Sequence, residues 1–231
     1  MSDFVEASER GTLKFPLLEF GKSVTGIPLR YLPAAGMAKT LVIAGTHGEE
    51  GETVFFLSRA LRALKTQPKN AAFVLAANPD GLLLGTRGNA NGVDLNRNFP
   101  TKNFTLGETL SRPTIEAKRD LKLLTGRDGG PEPETLALLG LIAALKPTTI
   151  ISLHSPIGCV DAPERTQLVQ DLERIFKMKW LPDIGYPTPG SLGTWCLENG
   201  IFCVTLELER RSGEELVRDF AEPFASFLLG L

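Results

Sequence analysis

Short apolar runs alternate with longer stretches of helical periodicity, and this alternation constrains the fold more than any other feature of the chain. The runs 40–45 (TLVIAG), 72–77 (AFVLAA), 149–153 (TIISL) and 201–206 (IFCVTL) have the length and the apolar content of buried strands. Helix-like stretches occupy about 51–65, 133–145, 164–177 and 213–229. Strands this apolar cannot leave a face in water. The expected fold is therefore α/β, with a mixed, mostly parallel twisted sheet and helices on both faces. On such sheets ligands sit beyond the C-terminal ends of the strands.

The stretch 78–131 has little periodicity and many turn residues, so it is expected to lack regular elements. An irregular stretch of that length inside a compact domain usually serves a function. No internal repeat, low-complexity tract or shift in composition divides the chain, and residues 1–231 are read as one domain. Of its residues 42% are apolar and 23% charged, with a formal net charge of −2, which excludes electrostatic capture of nucleic acid or of an anionic membrane. The N-terminal stretch carries acids where a signal peptide has basic residues, and no run approaches the ~20 apolar residues of a membrane span. The expected location is the cytoplasm. Cys159, Cys196 and Cys203 contain no C-x-x-C pair and read as buried thiols in a reducing compartment. A symmetric dimer is the commonest assembly for a soluble protein and is the expected one here.

Directly after the first of these strands comes GTHGEEGE, residues 45–52, which holds one of only two histidines in the chain. Three readings compete: a phosphate-cradling turn, a metal site and a polar strand-to-helix loop. The glycine spacing is not G-x-G-x-x-G, and Glu49 and Glu50 stand where a phosphate needs bare N–H groups, so the nucleotide reading fails. His47 and Glu50 form H-x-x-E, two ligands of the kind catalytic zinc takes, with three protein donors and one water. His154, the other histidine, also ends an apolar strand run, so a shared site is an economical explanation, although either histidine alone fits a structural hydrogen bond. Glu207 shares a strand face with Thr205 and Glu209 and is either a base or a solvated carboxylate. Arg87 and the cluster Asp94, Asn96, Arg97 and Asn98 lie in the irregular middle; a guanidinium there can bind a carboxylate bidentately or stabilise an oxyanion, and all of them fit equally as solvated loop residues.

These pieces together resemble the zinc carboxypeptidases of the carboxypeptidase A type. They are H-x-x-E (His47, Glu50), NPDG (78–81), GVDLNRNF (92–99), the lone histidine in SLHS (152–155), P-G-S-x-G-x-W ending at Trp195, and T-x-E-L (205–208), in family order over residues 41–210. The closest likeness is to the small bacterial murein peptide amidases, carried by NPDGLLLGTRGNANGVDLNRNFP, LLTGRDGGPEPET and GYPTPGSLGTW.

The resemblance implies a single-domain carboxypeptidase-like fold and one zinc ion per chain, held by His47, Glu50 and His154. Glu207 then matches the catalytic glutamate that passes a proton from water to the leaving amine. Arg87 matches the arginine that stabilises the oxyanion, Asn96 and Arg97 the pair that holds the substrate α-carboxylate, and Tyr186 stands near the mobile tyrosine. The implied reaction is hydrolysis of the γ-D-glutamyl–meso-diaminopimelate bond of murein tripeptide in wall recycling. A zinc carboxypeptidase or deacylase acting on another small acylated amino acid or peptide is the alternative, and a non-catalytic peptide-binding protein the rival from another class. Zinc and Arg87 are expected to favour the ionised form of Glu207. Residues 191–194 and the loop 155–165 are expected to line the specificity pocket, and 104–135 to rim the cleft, with Pro133 and Glu134 opening a helix. Glu49 and Glu52 are expected to serve as helix-start or solvent-facing charges, and the glycines of the turn to let it pass close to metal and substrate.

Overall fold

A computed structural model describes residues 3–111, 121–127 and 130–231. In chain order, β1 (Leu18–Lys22), β2 (Pro28–Leu32) and β3 (Thr40–Ile43) lead into helix α1 (Gly51–Ala63). Next come β4 (Ala71–Val74), α2 (Pro79–Leu84), β5 (Glu108–Ser111), β6 (Leu121–Leu124) and α3 (Pro133–Leu145). The remainder is β7 (Thr149–His154), β8 (Ile157–Asp161), α4 (Gln167–Phe176), β9 (Lys179–Leu181), α5 (Leu192–Glu198), β10 (Phe202–Glu209) and α6 (Gly213–Gly230).

Eight strands form one sheet in the order β1-β2-β4-β3-β7-β10-β8-β9. The four central strands β4, β3, β7 and β10 run parallel, while β1, β2 and the β10–β8 pairing are antiparallel. The alternation expected of buried strands holds on both faces. Val42, Ile151, Leu153, Val204 and Leu206 point to one side, where they meet Phe56 of α1, Phe176 of α4 and Phe220 and Phe224 of α6. Leu41, Ile43, Ile150 and Cys203 point to the other, under Leu138 and Ile142 of α3 and Cys196 of α5. Rings in the first layer stack closely, with Phe56 and Phe224 centroids 5.4 Å apart, which fixes α1 against α6.

This layering creates the place for a ligand. From β3 the chain crosses through α1 on one face to β4, on one side of β3; it returns through α3 on the opposite face to β7, on the other side. The connections after β3 and before β7 thus diverge, leaving a crevice above the C-terminal ends of these adjacent strands. His47 follows β3 and His154 ends β7.

The middle of the chain differs from the expectation of no regular elements. α2 forms because Asn78 caps its first turn, accepting from the Gly81 N–H at 2.9 Å, Pro79 takes the first helical position, and Gly85 ends it in the left-handed conformation. The stretch also holds the β5–β6 ladder. Local capping and pairing outweigh the lack of periodicity there. Residues 112–120 and 128–129 of the expected cleft rim 104–135 lie outside the described residues. Pro133 does begin α3, and Glu134 is fully buried, accepting from the Val24 N–H at 3.0 Å and from Asn89 Nδ2 at 3.1 Å. It locks the first turn of α3 to the β1–β2 connection.

Candidate active site

His47, Glu50 and His154 converge, with their ligand atoms all within 4.8 Å of one another and all three residues buried. His47 Nδ1 lies 2.6 Å from Glu50 Oε1, and His154 Nδ1 lies 3.1 Å from Glu50 Oε2. The two Nδ1 atoms face each other at 3.1 Å. Two imidazole nitrogens and a carboxylate aimed at one point are a donor set for a metal ion, and their outer atoms are held as such a set requires. His47 Nε2 lies 3.2 Å from Asp94 Oδ1, and His154 Nε2 lies 3.0 Å from Ser152 Oγ.

Why the turn after β3 places His47 and Glu50 so closely is visible in its contacts. At Gly48 a Cβ would stand 2.0 Å from the Gly81 carbonyl carbon, so only glycine lets the turn dock on α2. The close approach is to the chain's own backbone, where the sequence reading expected metal and substrate. Glu50 stands at the position just before α1, where its side chain is free of capping, and Thr53 Oγ1 donates back to its carbonyl at 2.8 Å. Glu49 lies 3.7 Å from Arg87, and Glu52 accepts from the Ser155 hydroxyl, so both tie the helix start to the cleft walls and neither is a free surface charge.

A second charged layer surrounds these three residues. Arg87 Nε donates to Asp94 Oδ2 at 3.0 Å and Arg87 Nη1 to Glu50 Oε1 at 3.4 Å. Asp94 also accepts from the Asn96 N–H at 2.9 Å, which nucleates a short 3-10 turn at Leu95–Arg97. Burial works against every charge here. The neighbours of opposite sign win at Glu50 and Asp94, whose carboxyls are held well below the ordinary range by His47 and His154 and by Arg87 and His47 respectively. His47 is raised, since Glu50 and Asp94 outweigh burial and Arg87, whereas burial wins at His154 and lowers it.

Glu207 sits beside His154 in the parallel β7–β10 register. Its Oε2 is buried without a hydrogen-bond partner. Burial, and then the charge of Glu50, push its carboxyl up to about 8, against the pull of His47 and Arg87. Arg87 does favour the ionised form, as expected, but among the chain's own side chains burial and Glu50 outweigh it.

One open cleft of about 610 Å³ is lined by all eight residues singled out in the sequence: His47, Glu50, His154, Glu207, Arg87, Asn96, Arg97 and Tyr186. Asn96 Oδ1 accepts from the Leu192 N–H at 2.9 Å, which orients its amide, and Arg97 Nη1 donates to the Asn96 carbonyl at 2.7 Å. The 3-10 turn packs closely on the start of α5, where a Cβ at Gly190 would stand 2.4 Å from the Arg97 carbonyl oxygen. Tyr186 is half exposed at the rim. Ser191, Gly193 and Thr194 from one side and Ser155, Pro156 and Ile157 from the other line the same cleft, as expected of the pocket walls. Two groups with partnering roles had no assignment from the sequence. Ser152 carries no distinguishing signal, whereas Asp94 stands in the GVDLNRNF stretch next to the residues that were assigned.

With this geometry in place, the relatives fall into line. The chain is 41% identical over 224 residues to murein peptide amidase A of Escherichia coli (strain K12), covering 96% of this chain and 93% of that protein. The chain belongs to the murein peptide amidase A family. A second member, from Vibrio campbellii, is 39% identical over 227 residues, 97% of this chain and 92% of the relative. The crystal structure of murein-tripeptide amidase from Escherichia coli O157 superposes with a TM-score of 0.95 at 39% identity, over 99% of this chain and 98% of that one. The carboxypeptidase A of Helicoverpa armigera shares the fold at 18% identity, with a TM-score of 0.68 over 93% of this chain and 67% of its own. Residues 37–126 also match the profile of the succinylglutamate desuccinylase/aspartoacylase catalytic domain. This family member is accordingly a hydrolase acting on peptide bonds, an α/β protein built around a mixed, mostly parallel central sheet on the carboxypeptidase plan. No helix among the described residues is long and apolar enough to cross a membrane.

Proposed function

We propose that this chain is a zinc-dependent murein peptide amidase that hydrolyses the γ-D-glutamyl–meso-diaminopimelate bond of murein tripeptide. The observation that carries the reading is the convergence of His47, Glu50 and His154 beside the unpartnered Glu207 oxygen, in one cleft of a chain 41% identical to murein peptide amidase A. The donor set fits the ion: two neutral imidazole nitrogens and one carboxylate match the three-ligand pattern of catalytic zinc.

Zinc held by these three residues would supply a Lewis acid and would lower the pKa of water toward ~7. The remaining work belongs to side chains. Glu207 accepts the proton of the attacking water through its free oxygen and returns it to the leaving amine. Arg87, preorganised by Asp94, faces the cleft as the donor for the developing oxyanion. Asn96 and Arg97 bind the α-carboxylate of the released residue, the guanidinium in the bidentate mode that suits it. Tyr186, at the rim, closes over the substrate. Asp94 and Ser152 hold the histidine rings so that each presents Nδ1 to the ion.

The substrate is a small peptide, which fits an open cleft in a protein of slightly negative charge; nucleic acid and membrane are not partners. Cytoplasmic recycling of wall peptides and a homodimeric assembly complete the reading. The deciding experiment is a panel of γ-D-glutamyl and α-linked peptides assayed on one preparation whose metal content is measured. Preference for the γ-D-glutamyl–diaminopimelate bond, with about one zinc per chain, is expected. Equal turnover of α-linked peptides lacking diaminopimelate would overturn the amidase assignment in favour of a broader carboxypeptidase or deacylase.

A further inference from the structure

The cleft extends past Glu207 into a part that the reaction itself does not use. On β10 the residues Cys203, Thr205 and Glu207 alternate onto the α3/α5 side of the sheet. β8 runs antiparallel beside β10, with Cys159 opposite Glu207 and Asp161 opposite Thr205. Side chains opposite each other in an antiparallel pair share a face. Asp161 therefore shares the Glu207 face, one strand over and two residues along. The two positions are diagonal neighbours in the ladder, with backbones roughly 7–8 Å apart.

Asp161 lines the cleft and is only partly exposed, and its carboxylate has no hydrogen-bond or ion-pair partner among the described residues. Its surroundings make that unusual. Burial, and then the charge of Asp183, push its carboxyl up to about 6. Asp183 and Glu164 also line the cleft. The positive side chains lining the cleft, among the described residues, are Arg87 and Arg97. Arg87 is engaged by Asp94 and Glu50, and Arg97 belongs to the 3-10 turn that anchors the α-carboxylate. Thr205, opposite Asp161, and beyond it Cys203 and Phe202 line the cleft along β10, a surface that suits a methylene stem. A partly desolvated carboxylate with no internal counter-charge is costly to keep, and a ligand cation relieves that cost.

We propose that Asp161 is a specificity-determining residue whose carboxylate receives an ammonium at the far end of the side chain of the residue released by cleavage. Asp183 adds negative potential at the same point. The distance suits a four-carbon stem ending in an amine. This inference rests on the proposed amidase reading, which places the scissile bond at Glu207, and it deepens that reading by naming the group that reads the distal amine.

The test uses γ-D-glutamyl peptides ending in lysine or in norleucine, which share a stem and differ in the ammonium. The metal-loaded wild type is expected to favour the lysine peptide in kcat/KM. Asp161→Asn and Asp161→Ser are each expected to lower kcat/KM for the lysine peptide about 10- to 100-fold, the worth of one charge-assisted contact, and to leave the norleucine peptide unchanged. Asp161→Glu restores part of the preference, and Asp183→Asn moves the ratio in the same direction by less. A lysine-to-norleucine ratio that is the same in the wild type and in both Asp161 variants overturns the inference, as does an equal loss on both peptides. Failure of the wild type to cleave any γ-D-glutamyl peptide overturns the amidase reading itself, and this inference with it, so the two failures are told apart by the wild-type column alone.

Discussion

The two ends of the cleft are built on opposite principles. At the histidine end the buried charges interlock: Glu50 touches both imidazoles and Arg87, Asp94 joins His47 to Arg87, and Ser152 holds His154. At the Asp161 end a carboxylate lines the cleft with no such partner among the described residues. The first arrangement fixes positions before anything binds, as a reacting centre requires. The second leaves an electrostatic demand that only a ligand of the right charge meets, which is how a binding pocket discriminates. In the proposed reading, catalytic geometry and substrate choice are separated between neighbouring positions of one face of β10, Glu207 and Thr205, the latter opposite Asp161.

That separation can be broken experimentally, most severely at the histidine end. Dialysis against a chelator should abolish turnover and zinc should restore it, and His47→Ala or His154→Ala should each strip bound metal; full metal content in either variant, measured by elemental analysis, would refute the ligand set. Next in size, Glu207→Gln should keep its metal and lower kcat about 100- to 10,000-fold, the usual range for losing a general base. Unchanged activity with metal retained would remove Glu207 from the mechanism. Asp94→Asn probes the interlocking itself. It should weaken metal affinity about 10- to 100-fold, since the outer partner of a ligating histidine orients the ring, and it should leave the lysine-to-norleucine ratio where it was. A shift in that ratio would show that the two ends are coupled. The smallest effect is expected far from both. Ser212 closes a capping box at the start of α6, accepting from the Glu215 N–H at 3.3 Å while its own N–H donates to Glu215 Oε2 at 2.9 Å. Ser212→Ala should cost about 1 kcal/mol in chemical denaturation with no change in kcat/KM for any peptide.

Much of the architecture was legible because it is encoded by local periodicity. β3, β4, β7 and β10 lie within a few residues of the apolar runs, and α1, α3, α4 and α6 within a few residues of the helical stretches. The shorter elements β1, β2, β8, β9, α2 and α5 escaped, since their residues are half exposed and their stability comes from pairing and capping. Strand β8 was the costliest of these to miss, for it carries Asp161 into the cleft. At the site, each of the eight residues named in advance lines the cleft; His47, Glu50 and His154 stood out as a short H-x-x-E pattern and a strand-end histidine, while the others were assigned through the family resemblance.

By itself the sequence determined the alternation of elements, the both-sided burial of the central strands, and the identity of the ligand-type residues at their C-terminal ends. All of that depends on spacings of a few residues. Only the tertiary structure decided which nitrogen each histidine presents, that Asp94 and Ser152 hold the rings, that burial and Glu50 push Glu207 up, and that Asp161 faces the cleft. Those features arise where segments far apart in the chain meet: His47 and His154 are 107 positions apart, and His47 and Asp94 are 47. Their relative placement is fixed by strand register and by which helix covers which face, and a one-residue slip of β8 would turn Asp161 to the opposite side of the sheet.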